Sequence, residues 1–130
     1  MNNWNQEKLE NTGYKIKNAK ITFVDLSMAD HGCLTLRLCL EGGGWGCIYG
    51  GYALGSGYVG ADEFEGSAAG MESIMRIMDT VGCDTFNEMK GKYVRAAVKG
   101  WGDRVQIIGH ITKDKWFDQE SFFKEKKCQE

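Results

Sequence analysis

Proline is absent from the 130 residues, and histidine occurs twice. Turns therefore fall to glycine. Most of the 18 glycines gather between Glu41 and Gly70, where they mark tight turns and close backbone approaches. Trp45, Ile48, Tyr49, Tyr52, Leu54, Tyr58, Val59 and Phe64 interleave with them, which argues against a flexible linker. No apolar run approaches ~18 residues, so no membrane-spanning helix is expected. The opening MNNWNQEKLE lacks the apolar segment of a secretion signal. There is no excess of basic charge either. Sixteen Lys and Arg stand against 18 Asp and Glu, for a net charge of -2 and a pI near 5.7. That weakens a case for duplex DNA, where phosphate neutralisation dominates affinity, but leaves room for a local basic groove or a small nucleotide.

The chain length fits one domain able to bury roughly two thirds of its unfolded surface, so neither metal nor disulfide is required for folding. Hydrophobic residues at 42% and charged residues at 26% are ordinary globular values and argue against disorder. Residues 1–13 read as a polar, flexible arm, 14–126 as one β-rich domain and 127–130 as a charged tail. Lys15 to Asp25 reads as a strand, and Leu26 to Gly32 as a turn built on Ser27, Asp30 and Gly32. From Cys33 to Leu40 leucines fill every even position, a period of two that a helix cannot turn into one apolar face. Trp45 to Tyr52 closes a hairpin onto that strand. Gly55 to Gly66 reads as a loop.

Ser67 to Val81 is the one strong helix, with Ser67 as N-cap and Gly82 as its stop. Ala68, Met71, Ile74, Met75, Met78 and Val81 form its expected core stripe. A helical turn over Thr85 to Lys90, strands over Lys92 to Val98 and Arg104 to Ile111, and a C-terminal helix from Trp116 to Lys126 complete the order. This is an α+β, β-rich chain with five antiparallel strands. The main helix lies between strands three and four, the element order of an OB-type curved sheet or partly open barrel. A sheet with one covering helix is the alternative.

Chemistry-bearing motifs are sparse. The five cysteines (Cys33, Cys39, Cys47, Cys83 and Cys128) are odd in number and read as free thiols of a reducing cytoplasm. No Cys-x-x-Cys or His-Glu-x-x-His occurs, and Cys33 and Cys39 would stand ~20 Å apart along one strand, so no metal and no cofactor is expected. Nucleophilic catalysis would need Cys33 or Cys83 to meet His31 or His110 in space. Asp62, Glu63 and Glu65 precede the main helix, where negative charge complements its N-terminus. No phosphate-loop or dinucleotide-binding signature accompanies the glycines. The aromatic and basic set is more suggestive. Arg37, Trp45, Tyr49, Tyr52, Arg95, Trp101 and Arg104 sit on or beside the strands and turns that would line the groove of an OB-type barrel. There, rings can stack on bases and guanidinium groups can hold phosphates. The competing reading is that many of these rings simply pack the interior.

The stretch from Tyr14 to Phe123 resembles small uncharacterised proteins of phages and prophages of Gram-positive gut bacteria. The segments Gly91-Lys92-Tyr93-Val94-Arg95 and Gly100-Trp101-Gly102-Asp103-Arg104-Val105 carry the likeness. The run from Glu88 to Val98 is also similar in layout to the helix, Gly-Lys strand and final hairpin of phage single-stranded-DNA-binding proteins, with Met89 in place of leucine. These resemblances imply a cytoplasmic, non-catalytic accessory protein of the infected host cell. It would act in counter-defence, on a host immune protein such as a CRISPR nuclease or on a nucleotide signal. The alternative they imply is single-stranded nucleic-acid binding. Self-association into a homodimer or higher assembly is expected from exposed sheet aromatics and the apolar segment Trp116 to Phe123.

Overall fold

The computed structural model describes residues 3–30, 32–100 and 102–129, with backbone only at 30, 128 and 129. His31 and Trp101, both weighed above, lie outside the described residues. Helix α1 (Gln6–Asn11) leads into strands β1 (Lys15–Asp30), β2 (Cys33–Gly42), β3 (Trp45–Ser56) and β4 (Glu65–Gly66). Helix α2 (Ala68–Val81) and a 3-10 turn (Phe86–Met89) follow, then β5 (Tyr93–Val98), β6 (Ile107–His110), β7 (Trp116–Asp118) and helix α3 (Gln119–Gln129). All strand pairs are antiparallel, and the seven strands run in the order β4-β3-β2-β1-β5-β6-β7. The sheet curls into a half-barrel.

Seven strands replace the five expected, and the main helix joins β4 to β5 rather than the third strand to the fourth. The five-stranded OB order is therefore set aside. The extra strands are β4 and β7, of two and three residues, too short to leave a periodic signal in the sequence. The expected turn from Leu26 to Gly32 is strand up to Asp30, because Ser27, Leu26, Asp25 and Val24 stay in register with Thr35, Leu36, Arg37 and Leu38. Ser27 still makes its local bond, Oγ accepting from Ala29 N at 3.0 Å where the ladder is irregular, but pairing carries the strand on to Asp30.

The even leucines do what their period demands. Leu36, Leu38 and Leu40 are buried on the inner face, where each contributes roughly 1.5–3 kcal/mol relative to exposure. Ala19, Ile21, Tyr49, Val94, Ala96 and Ile108 complete the inner sheet face, and Ile77 and Val81 of α2 and Phe117 and Phe122 close the core over it. Ser67 caps α2 by accepting from Gly70 N at 3.0 Å, and Gly82 ends it at φ 88° with its N–H on the Met78 carbonyl. The buried stripe is rotated from the one expected. Gly70, Ser73, Ile77, Thr80 and Val81 face inward, while Met71 and Met75 are about two thirds exposed. Gly70 fixes this rotation: it lies so close to Leu54 that an added Cβ would stand 2.7 Å from the Leu54 carbonyl oxygen.

The ends of the chain are also corrected. The arm of residues 1–13 contains α1, whose Leu9 is fully buried against Ala97 and Ile107 on the outer face of the sheet. The C-terminal helix begins at Gln119, after Trp116–Asp118 has paired with β6. Asp118 starts it by accepting from Ser121 N (3.1 Å) and Ser121 Oγ (2.8 Å). Residues 127–129 continue this helix rather than forming a tail. The apolar segment expected at a dimer interface is used internally: Phe117 and Phe122 are buried and Phe123 stacks on Tyr52. No helix of the described residues is long and apolar enough to cross a membrane.

Candidate functional site: a basic groove along the free edge of β3

β3 is twelve residues long, but β4 pairs only with its last two, Gly55 and Ser56. The rest of that edge has no strand beside it. The half-barrel curls far enough to bring this edge towards the segment between β5 and β6. Two side-chain bonds join the sides: Arg104 Nη2 donates to the Gly50 carbonyl, and Tyr52 Oη donates to Gln106 Oε1 at 2.9 Å. Glycine at position 50, with φ 104°, bends the edge at this clasp. Beyond it the sides part, leaving a groove of about 600 Å³, within the ordinary size range of ligand sites.

Trp45, Gly46, Cys47 and Ile48 form one wall of the groove, and Val98 to Gly100 with Gly102 to Val105 form the other. Lys15 and Lys17 line its floor. The register explains the floor: Lys15 and Lys17 share the inner face with Ala19 and Ile21 but stand opposite Val98 and Ala96. Three cationic side chains, Lys15, Lys17 and Arg104, meet one anionic lining residue, Asp103, while Lys99 lines the rim and turns its ammonium towards Tyr14 on the outer face. Among the described residues none of the three lysines has a carboxylate partner. Two of the three are instead set against rings: Lys17 Nζ is 5.6 Å from the Trp45 ring centre and Lys99 Nζ 4.9 Å from that of Tyr14. Trp45 is half-buried, its indole laid against Gly42 of the facing strand, where an added Cβ would come within 2.5 Å of Cε2.

The residues expected to form one binding face are divided by the structure. Trp45 and Arg104 lie in the groove. Tyr52 supports it from the clasp, with its ring under the Arg104 guanidinium at 5.4 Å. Tyr49 is fully buried; burial first, then Asp118 and Tyr52, pushes its hydroxyl well above the ordinary tyrosine pKa. Arg37 is on the outer face, opposite Asp25 and Gly50, with Nη1 3.1 Å from Thr35 Oγ1. Arg95 is also outside the groove. It lies over Trp116 at 4.6 Å and donates to the carbonyls of His110 and Lys113 and to Gln6 Oε1, tying α1 to the turn after β6. Lys15 and Lys17 were not singled out by the sequence, although odd positions shared with Ala19 and Ile21 were a signal that they point inward.

The cysteines and histidine offer less. Burial, then Cys39, raises the Cys47 thiol, and burial raises that of Cys83, so both remain protonated. His110 does come against Gly82, beside Cys83. Its Nδ1 accepts from the N–H groups of Thr112 (3.1 Å) and Lys113 (3.0 Å), which places the neutral ring's proton on Nε2. The Nε2 atom facing Gly82 is therefore a donor rather than a base. Among the described residues no three of His, Cys, Asp and Glu gather as a metal site would need. No family model, no curated protein and no solved structure matches this chain.

Proposed function

We propose that this chain acts by binding, and that its partner presents negative charge to the groove beside β3. The observation that carries this reading is the convergence of Lys15, Lys17 and Arg104 on one recess of a chain whose net charge is -2. Like charges gathered without carboxylate partners repel one another, and an anion relieves that repulsion. Beside the resemblance to phage accessory proteins, this suggests counter-defence in the host cell: an acidic surface of an immune protein engaged, or a nucleotide signal sequestered. A second reading, single-stranded nucleic acid, has the same cations hold phosphates, although the Trp45 ring is already covered by Lys17.

Tryptophan fluorescence titrations at low ionic strength test the proposal, with tripolyphosphate, cyclic dinucleotides, oligothymidylate and acidic peptides as probes. Binding is expected to weaken as salt rises, and the Lys15→Glu/Lys17→Glu protein should lose at least tenfold in affinity, roughly 1.4 kcal/mol. If no anionic probe binds at low salt, or the double variant binds equally well, the proposal fails.

A further inference from the structure

The wall of the groove formed by β3 is a strand edge, and this gives the partner a conformation. Gly42 and Trp45 flank a two-residue turn and pair with each other, so they exchange both main-chain hydrogen bonds. Along an antiparallel ladder such pairs alternate with pairs whose N–H and C=O point away from the neighbour. Counting from Trp45, the main-chain groups of Gly46, Ile48 and Gly50 therefore point out of the sheet. The Gly50 carbonyl obeys this rule, since it is the one that Arg104 reaches. Gly46 and Ile48 are left with outward-pointing donors and acceptors along the groove.

We propose that this edge takes an extended, acidic polypeptide segment of a partner protein, added as a strand against Gly46 and Ile48. The inference rests on the anion-binding reading above and specifies the partner. The pleat sets its side-chain pattern. Residues opposite Trp45 and Cys47 project to the inner face, towards Lys15 and Lys17, and suit Asp or Glu. Those opposite Gly46 and Ile48 project outward, beside Ile48, which is 56% exposed, and suit Val or Ile. Main-chain pairing then gives affinity and the alternating charge gives selection. A stacked base suits the site less well, because Lys17 already lies against the Trp45 ring.

A fluorescein-labelled peptide alternating Val and Glu tests this by fluorescence anisotropy at low ionic strength. Controls are its Val/Lys counterpart, a Val/Glu peptide N-methylated at alternate residues, and tripolyphosphate as a probe of charge alone. The Val/Glu peptide should bind at least tenfold more tightly than either peptide control. The edge N–H of Gly46 can be removed by Gly46→Pro, since proline is tolerated where the missing donor faces away from the ladder. That variant should lose roughly tenfold in peptide affinity relative to Gly46→Ala and keep tripolyphosphate binding, which also reports that it has folded. Should Gly46→Pro not fold, the N-methylated peptide decides alone. Tripolyphosphate binding with a peptide affinity indifferent to N-methylation overturns the strand inference and leaves the anion reading standing. Loss of both probes removes both. A dimer in light scattering that Gly46→Pro converts to monomer gives the edge to a second copy and overturns the assignment to a partner protein.

Discussion

Gly42 is where a single missing carbon shapes the site. Trp45 lies over it, and a methyl group there would press on the indole and stand 2.9 Å from the Asn18 carbonyl oxygen. Gly42→Ala should therefore displace the ring, at a cost of about 1–3 kcal/mol for overpacking. A red-shifted tryptophan emission and a lower Tm would show it; unchanged emission with full stability would mean that Trp45 is not seated as described. The glycine-rich segment gave warning of close approach, but not that Gly42 serves a ring while Gly50 bends an edge. A residue lacking a side chain says only that something comes near. His110 supports a second prediction. Its pKa is lowered by burial, then by Lys113, Lys115 and Arg95. The folded state favours the neutral ring, so its stabilising contribution is complete above the ordinary histidine value. It is lost as the pH falls from there through the depressed folded value. Between pH 7.5 and 5 the wild-type Tm should fall more steeply than that of His110→Gln, and parallel curves would contradict this.

At the scale of elements, α2 separates position from orientation. Its span and both caps were legible, because Ser67 and Gly82 are local signals. Its buried face was legible only in part. Ile74, Met78 and Val81 do pack on the core, but Met71 and Met75 imitate the stripe from an exposed position, because the rotation is set by a non-local contact, Gly70 against Leu54. Ile77→Ala should cost about 2–5 kcal/mol as a core truncation, and Met71→Gln with Met75→Gln should change stability by about 0.5 kcal/mol or less each. Chemical denaturation of the three proteins checks this ordering, and a large loss on Met71→Gln would restore the stripe read from the sequence. β2 was legible from Cys33 to Leu40, two residues short of its end at Gly42, since strict alternation of leucine specifies both strand and inward face. β4 and β7 were hidden because two and three residues are too few to show a period.

The whole molecule is an open sheet curled until its sides meet. Arg104 and Gln106 span the gap to β3 at the clasp, and the groove is what remains beyond it. The sequence marked Trp45 and Arg104 for this place but counted Arg37, Tyr49 and Arg95 with them. Tyr49 shares the parity of Trp45 but lies deeper in the core, Arg95 is turned outward by parity, and Arg37, of outer parity too, reaches Gly51 at the clasp; none of this is visible until the strands are in register. Lys15 and Lys17 become groove residues by the same geometry, because the curled inner face continues past the core.

The most direct test of the groove is amide chemical-shift mapping with tripolyphosphate at low ionic strength. Perturbations are expected at Lys15, Lys17, Gly46, Ile48, Lys99, Gly100 and residues 102–105, fading as salt is added. Shifts centred instead on Lys20, Thr22 and Tyr93, which line the smaller recess of the outer face, or spread evenly over every exposed lysine, would contradict this.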